Sequence, residues 1–484
     1  MSSRLESRSR PDLVVVGLGP TGLAALYEAS TLGLSAVGID LDRAVGSIRR
    51  YLDGLPLVSP SYRFEIGGLP LDCRTPAHPT KEELLHYYAR VVRAGRLDAR
   101  SSQRWVGLET LADGVRVRAE TRDGPVSYDA NQVLITAWYV RAAVPASSPG
   151  VRVLDGLRSP GDVIGDRVVV IGGGISAAEH AGALMLHGHA VTILARGSAR
   201  PMMKRPSFLR LLEDSGSRIV DRVESLRVGE DGVFFRLESE AREHFLGCDV
   251  ALFNIGARLD ERMMGMLLDA GVIDQRLSEQ LASSKSFEAV ARQEPWLSER
   301  EAEAKAEGGW PDLWRHVFQG VKGVRLAGGA LHTGASNSGL FASIRSAELA
   351  VRSVAGMGPP EGFVPPLPRA LSRFVAETGP RKPELSRWAG LRPRTIATWS
   401  RGHISVDPKD ERTDEGRARA SLQFLTSSRR PSRLEVDLLE ACDGRTTIGE
   451  LVQRGGLSNA DEVAQFLEIL AGLFRANVLT WLPG

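Results

Sequence analysis

The sequence predicts an α/β fold, and three features of its pattern carry that prediction. Residues 12–42 and 166–200 each read as a short β-branched strand, a glycine-rich turn, a helix and a second strand. This order is typical of parallel sheets with helices on their faces. From residue 431 onwards the apolar spacing is that of short helices. We therefore predict two Rossmann-like, three-layer dinucleotide-binding domains and a small, mostly helical, winged-helix-like C-terminal domain.

Length and composition are those of an ordinary globular protein. The 484 residues suffice for about three domains. With 43% hydrophobic residues, 25% charged residues and a formal net charge of +2, the chain has no overall attraction for nucleic acid or a membrane surface. It lacks a long apolar run and a signal-peptide pattern, so we expect a cytoplasmic protein. The three cysteines form no CxxC or Cys/His cluster, which predicts a reducing compartment and no metal site.

The first glycine-rich turn follows the strand at 13–16 and has the spacing GxGxxG. Its first two glycines allow a tight turn and close approach of a pyrophosphate, and the third lets the helix pack on the strand. An aspartate ends the next strand, where a carboxylate accepts hydrogen bonds from a ribose diol. The alternative is a turn that binds nothing. The residues predicted to contact a nucleotide here are Gly17, Gly19, Pro20, Thr21, Gly22 and Asp40.

The second glycine-rich turn follows the strand at 168–171 and reads GxGxxA. The next strand ends in Ala195 and Arg196 rather than in an acid. A guanidinium is a planar fork for a phosphate, so this half favours NADPH, with its 2′-phosphate, over NADH. The alternative for Arg196 is a solvated surface residue. The predicted contacts are Gly172, Gly174, Ser176, Ala177, Arg196 and Arg200.

Two different ribose contacts in one chain imply two nucleotides, FAD at the first turn and NADPH at the second. This pairing resembles the flavoproteins with two dinucleotide-binding domains. Within these flavoproteins, the sequence most resembles the bacillithiol-disulfide-reductase-like group, which is similar to thioredoxin reductases. The matching landmarks are Ser47, the EIGG segment at 65–68 and the tyrosine pair at 87–88. The segment 323–351 resembles the group's last flavin-contacting strand and loop, which implies that Gly328 and Gly329 contact FAD. The resemblance covers roughly residues 12–260 and 322–354.

Two departures from that group concern the chemistry. The group carries a cysteine, proposed as the redox thiol, within the first turn, where this sequence has Thr21. A hydroxyl cannot exchange with a disulfide, so disulfide reduction by that route is not expected. Trp138 replaces a glycine at a domain crossing, where it either lines an altered substrate mouth or fills an interface. The candidate catalytic groups are Trp138, Cys73 if the fold brings it to the flavin, and His332, which is either a proton donor or an ordinary loop histidine.

The predicted domain boundaries follow from these segments. The FAD-binding domain comprises residues 12–155 and 322–356, and the NADPH-binding domain comprises residues 160–321 with a helical insertion at 262–320. The insertion is either a lid or partner surface, or a helix pair held by tryptophans. Residues 357–430, rich in Pro and Arg, read as a linker that either contacts an acidic partner or remains a solvated strap.

Residues 431–484 form the predicted winged-helix-like module, with three short helices and a strand at 478–482. The phrase LLEACDGRTTIGEL resembles recognition elements that bind leader peptides of ribosomally made natural products. That resemblance implies capture of a peptide by strand addition at a sheet edge. The module has too few basic residues for a DNA duplex, so nucleic acid is not an expected partner. A structural or dimerising module is the alternative.

Together these residues predict an NADPH-dependent flavoenzyme. FAD would accept a hydride from NADPH and supply the redox chemistry. The onward substrate would be a small molecule, or a peptide- or carrier-bound group in natural-product biosynthesis, reduced or oxidised without a redox-active CxxC. Two alternatives stay open: a flavin monooxygenase, and a non-catalytic flavin redox sensor with a C-terminal binding module. No membrane partner is expected, and a homodimer is compatible with this organisation.

Overall fold

The computed structural model divides into two compact units. The first is drawn from residues 1–49, 56–138 and 259–484, and the second from residues 50–55 and 139–258. The structure describes residues 10–54, 57, 61–73, 79–137, 139–197, 201–204, 206–275, 278–279, 320–328, 339–357, 382–395, 397–400, 403–406, 438–475 and 479–483. Among these residues, no helix is both long enough and apolar enough to cross a membrane.

The strands of the described residues are short, as in most α/β proteins. In chain order they are β1 (Leu13–Val16), β2 (Ala36–Ile39), β3 (Asp98–Arg100), β4 (Arg104–Leu111), β5 (Gly114–Thr121), β6 (Gly124–Ala130), β7 (Gln132–Ile135), β8 (Tyr139–Arg141), β9 (Arg152–Leu154), β10 (Arg167–Ile171), β11 (Ala190–Leu194), β12 (Arg218–Val220), β13 (Val223–Val228), β14 (Gly232–Leu237), β15 (Glu243–Gly247), β16 (Val250–Phe253), β17 (Ala257–Leu259), β18 (Val324–Leu326), β19 (Arg392–Thr395), β20 (Ala397–Ser400), β21 (His403–Val406) and β22 (Leu479–Leu482).

The helices of the described residues connect these strands or follow them. They are α1 (Pro20–Thr31), α2 (Lys81–Ala94), α3 (Ile175–Leu186), α4 (Pro206–Asp214), α5 (Glu261–Asp269), α6 (Gly339–Val354), α7 (Leu385–Trp388), α8 (Ile448–Arg454) and α9 (Ala460–Arg475).

The first unit is built on a parallel sheet with the strand order β18-β7-β1-β2-β3. Strand β1 lies at its centre and is wholly buried, because its LVVV sequence has apolar side chains for both faces. Helix α1 connects β1 to β2 and packs against α6. The antiparallel sheet β4-β5-β6 belongs to the same unit.

The second unit repeats this plan. Its parallel sheet has the order β12-β11-β10-β16-β9, with the buried β10 at the centre and α3 connecting β10 to β11. It also carries an antiparallel sheet, β13-β14-β15. The predicted α/β fold with two Rossmann-like sheets is therefore confirmed, whereas the exact domain boundaries remain predictions.

The C-terminal residues contain the predicted helices and strand. Residues 438–441 are helical, α8 and α9 follow, and β22 ends the described chain. Thr447 caps α8 in a capping box with Glu450. Asn459 caps α9, since its side chain accepts from the backbone N–H groups of residues 461 and 462. The segment predicted as a linker contains α7 and the strands β19, β20 and β21, and Trp388 and Leu391 are buried in it.

Candidate functional site

The first glycine turn contains two glycines that the backbone requires, Gly17 and Gly22, and one that it does not require, Gly19. Gly17 has a φ of +101°, and a Cβ added at Gly22 would lie 1.8 Å from the carbonyl oxygen of Gly17. A side chain is therefore excluded at both positions. Gly19, the residue before α1, has a φ of −67° and no atom within 4 Å of an added Cβ. Nothing in the described protein requires glycine at that position.

The helix end beside Gly19 is suited to an anion. No side chain caps the first turn of α1, and no acidic residue lies in it. The first N–H groups of a helix have no partner within the helix, and the helix dipole adds partial positive charge there. This combination of free space and uncapped N–H groups is the usual pyrophosphate site of a strand–turn–helix unit.

Asp40 lies beside this turn, as the sequence predicts. One carboxylate oxygen accepts from the backbone N–H of Leu18 at 2.6 Å, and the other accepts from that of Asp42 at 2.9 Å. These bonds fix the carboxylate at the end of β2, next to the turn. Carboxylate oxygens are acceptors, and at this position of a strand–turn–helix unit they are suited to the hydroxyls of a ribose.

The end of β18 meets the start of α1. Gly328 has a φ of +87°, and its N–H donates to Ser346 Oγ at 3.0 Å. A Cβ added at Gly328 would lie 3.1 Å from Cγ2 of Thr21, so the two residues are neighbours. Pro20 and Thr21 are buried, whereas Ser47 is exposed. Thus the structure brings Thr21 and Gly328 together at the first turn.

The second glycine turn repeats this arrangement. Gly172 has a φ of +138°, and a Cβ there would lie 2.3 Å from the carbonyl oxygen of Asn254. Gly174 precedes α3 with a φ of −89° and no atom within 4 Å of an added Cβ, and no side chain caps the helix. Ala177 is fully buried where the helix packs on the sheet, and Ser176 is exposed. The second turn therefore also leaves space for a ligand at an uncapped helix end.

Arg196 lies just beyond the end of β11 and is exposed. Its position on the edge of the sheet that carries the second turn is the one that the sequence predicts. Arg200, Gly329, Trp138 and His332 lie outside the described residues. Their predicted roles stay predictions.

The cysteines are placed in environments that oppose thiolate chemistry. Cys73, Cys248 and Cys442 are buried and are not joined in disulfides. Burial, together with the nearby carboxylate of Glu83, raises the pKa of Cys73 well above its usual range. Burial also raises the pKa of Cys248 to about 11 and that of Cys442 to about 12. Because the thiolate is the nucleophile in disulfide exchange, the environment of Cys73 argues against its predicted catalytic role. The described residues contain no His, Cys, Asp and Glu group that could hold a metal ion.

Two side-chain contacts in the structure were not predicted from the sequence. His180 on α3 contacts Asn254, with Nδ1 and Oδ1 2.6 Å apart. Glu28 on α1 is fully buried and forms an ion pair with Arg387 of α7. A carboxylate within the otherwise apolar run of α1 was the available signal for the second pair, since a buried charge needs a partner. No local sequence pattern indicated the contact between His180 and Asn254.

Backbone groups on the outer sides of the paired strands β19 and β22 already form hydrogen bonds. On the outer side of β19, Pro393 O accepts from the N–H of Gly444 at 2.8 Å, and the N–H of Thr395 donates to Cys442 O at 2.9 Å. On the side of β22, Arg90 Nη1 donates to Trp481 O at 2.9 Å. An added strand would have to displace these bonds, because strand addition uses the same backbone groups.

Comparison with known proteins agrees with the geometry of the two turns. Residues 14–228 match the family model of the pyridine nucleotide-disulphide oxidoreductases. The matched residues, less than half of the chain, are thus similar to that family. The family comprises NAD(P)H-dependent flavoprotein oxidoreductases, which typically bind FAD and NAD(P)H.

The curated relatives are matched over part of their length. A ferredoxin–NADP reductase of Ralstonia pickettii (strain 12J) is 32% identical over 197 residues, which cover 39% of this chain and 51% of the relative. The chain thus spans about half the length of the curated relatives it matches.

Solved structures of oxidoreductases share the fold over a larger part of the chain. The bacillithiol disulfide reductase Bdr from Bacillus cereus has a TM-score of 0.56 at 20% identity, covering 72% of this chain and 99% of that one. A flavin-containing monooxygenase from Stenotrophomonas maltophilia has a TM-score of 0.50 at 21% identity, covering 72% of this chain and 98% of that one. At these identities the likeness concerns the fold alone.

Proposed function

We propose that this chain is an FAD-dependent oxidoreductase that takes a hydride from NADPH and passes electrons to a substrate without a redox-active cysteine pair. One observation carries the proposal. Gly19 and Gly174 have backbone angles that any residue adopts, and the space around each is open. The described chain does not require glycine at either position, whereas a phosphate approaching the helix end does.

The residues present fit the two nucleotides. The first turn and the N-terminus of α1 would hold the pyrophosphate of FAD, and Asp40 would accept hydrogen bonds from its ribose. The second turn and α3 would hold the pyrophosphate of NADPH, with Arg196 donating to the 2′-phosphate. When bound, FAD supplies the redox chemistry, so the chain's own task is to bind, orient and exclude water.

The environment of the thiols supports a route that does not use them. Thr21 occupies the first turn, and burial raises the pKa of Cys73. Electrons would therefore pass from the flavin to the substrate directly. A reductase or dehydrogenase fits this route. A monooxygenase also needs no thiol, but its flavin would pass electrons to oxygen, so the reaction with oxygen separates the two.

The substrate class rests on the C-terminal module. Its resemblance to peptide-recognition elements supports a peptide- or carrier-bound substrate of natural-product biosynthesis, with a free small molecule as the other choice. Because backbone groups on the outer sides of both β19 and β22 already form hydrogen bonds, a peptide would bind on another surface of the module or replace these bonds.

Two matched substitutions test which nucleotide each turn binds. Gly19→Val and Gly174→Val both place a side chain in open space, so both variants should fold with the circular dichroism of the wild type. Gly19→Val should purify without FAD. Gly174→Val should retain FAD but lose reduction of the flavin by NADPH. A Gly19→Val protein with a full complement of FAD would contradict the assignment of the first turn.

A further inference from the structure

Three residues follow three adjacent parallel strands of the second unit and lie along one edge of its sheet. Arg196 follows β11, Gly172 follows β10 and Asn254 follows β16. The N–H of Gly172 donates to Leu194 O at 2.8 Å, and that of Asn254 donates to Ile171 O at 2.7 Å. The order along the edge is therefore Arg196, then the glycine turn, then Asn254.

This order indicates which half of a bound dinucleotide would lie at Asn254. The following step rests on the proposed function, in which NADPH binds at this edge with its 2′-phosphate at Arg196 and its pyrophosphate at the glycine turn. An extended dinucleotide that crosses the edge in this direction brings its nicotinamide half to the end of β16. Asn254 occupies that end, and its carbonyl oxygen is 2.3 Å from the position that a Cβ of Gly172 would take.

The side chain of Asn254 is held in place and has an unsatisfied donor. Its Oδ1 lies 2.6 Å from Nδ1 of His180, and with the amide in this orientation the tautomer of His180 that carries its hydrogen on Nδ1 donates to Oδ1. Within the described part of the chain, Nδ2 of Asn254 is enclosed and has no hydrogen-bond partner. An enclosed donor without an acceptor destabilises a protein, so it calls for an explanation.

We propose that Asn254 binds the nicotinamide half of NADPH, with Nδ2 donating to an oxygen of the carboxamide or of the adjoining ribose. His180 is then a positioning residue, because its bond to Oδ1 turns the amide nitrogen towards the ligand. The residue as a whole is partly exposed, and both side chains belong to the same unit as the glycine turn. The pair accounts for the unsatisfied donor and for the closeness of Asn254 to Gly172.

Binding of two ligands distinguishes a nicotinamide-binding role of Asn254 from a purely structural role. NADPH carries both halves of the dinucleotide, whereas adenosine 2′,5′-bisphosphate carries the phosphorylated adenosine half alone. Asn254→Asp keeps the shape and the acceptor for His180 but replaces the Nδ2 donor, and Asn254→Ala removes the whole amide. By calorimetry, both variants should bind NADPH about tenfold more weakly, the usual effect of losing one hydrogen bond. Their affinity for the bisphosphate should match that of the wild type.

Arg196→Ala is the matched control, because it should weaken both ligands. His180→Ala should weaken NADPH alone, with no further loss when combined with Asn254→Ala, since the two act through one contact. His180→Gln, which can again donate to Oδ1, should restore part of the affinity. An equal loss of both ligands in Asn254→Asp and Asn254→Ala, or no loss of either, would overturn the role of Asn254. A wild-type protein that binds neither ligand would overturn the NADPH site itself.

Discussion

Arg387 donates from Nη2 to Oε2 of Glu28 at 2.7 Å, and both side chains are buried. Glu28 lies on α1, the helix that begins at the first glycine turn, and Arg387 lies on α7 of the C-terminal segment. Arg352 of α6 also approaches Glu28, at 3.7 Å. The ion pair therefore anchors the C-terminal segment to the helix that would hold the flavin pyrophosphate.

Arg387→Ala should destabilise the protein strongly. The substitution leaves the buried carboxylate of Glu28 without its closest counter-charge, and breaking a buried pair in this way typically costs about 3–5 kcal/mol. The free energy of unfolding, measured by urea denaturation, reports the loss. Arg116→Ala is the control, because Arg116 pairs with Asp129 on the surface and such pairs contribute about 0–1 kcal/mol. Equal effects of the two substitutions would contradict a buried anchor.

Trp481→Ala should loosen the same segment from another side. The ring of Trp481 is fully buried, its Nε1 donates to Pro70 O at 2.6 Å, and the guanidinium carbon of Arg90 lies 4.2 Å from the ring centroid. Truncation of a buried tryptophan typically costs about 3–5 kcal/mol. Leu482→Ala, at a neighbouring residue that is 41% exposed, should change stability by less than about 0.5 kcal/mol. Thermal denaturation of the two variants gives the comparison, and a small change in Trp481→Ala would show that the segment does not depend on this contact.

Glu179→Gln should change how stability depends on pH. Burial raises the pKa of Glu179 from 4.5 to about 7. Between these values the folded state holds a proton that the unfolded state has lost, so the wild type loses stability as the pH rises. The loss should reach about 3 kcal/mol above pH 7 and vanish below pH 4.5.

Because glutamine does not ionise, the variant should gain stability relative to the wild type as the pH rises from 5 to 8. Urea denaturation at both pH values measures the difference. A difference that is the same at pH 5 and pH 8 would contradict a buried, proton-binding carboxyl at this position.

The cysteines should be inert in the native protein. All three are buried, and burial raises the pKa of each, so almost no thiolate is present at neutral pH. Iodoacetamide at pH 7.5 should label none of them in the folded protein and all three in urea, as counted by mass spectrometry. Cys73→Ser should leave reduction of the flavin by NADPH unchanged. Rapid labelling of one native cysteine would reopen a thiol-based route.

The two glycine turns were predictable from the sequence because their determinants are local. The strand, the turn and the helix lie within about 20 residues, and each glycine has a steric or ligand-based reason that spacing reveals. Asp40 was predictable for the same reason, since it ends the next strand. The described structure places these residues as the pattern indicates.

The contacts between distant parts of the chain were not predictable in the same way. Glu28 and Arg387 are separated by most of the sequence, and no periodicity relates an acid on the first helix to an arginine within a predicted linker. Strands β19 and β22 pair across the C-terminal helices, and the groups that bond to the outer edge of β19, the carbonyl oxygen of Cys442 and the N–H of Gly444, come from the segment just before α8. Such contacts depend on how elements pack, which single-sequence patterns do not encode.

The measurement that tests the account most directly is anaerobic mixing of the purified protein with NADPH while the flavin absorbance is followed. We expect a yellow protein whose flavin absorbance bleaches with NADPH and much more slowly with NADH, because we propose that Arg196 binds the 2′-phosphate. Admission of air should then separate slow reoxidation, as in a reductase, from rapid oxygen consumption coupled to product, as in a monooxygenase. A colourless protein that takes up no added FAD, or a yellow one that NADPH never bleaches, would contradict the proposed function.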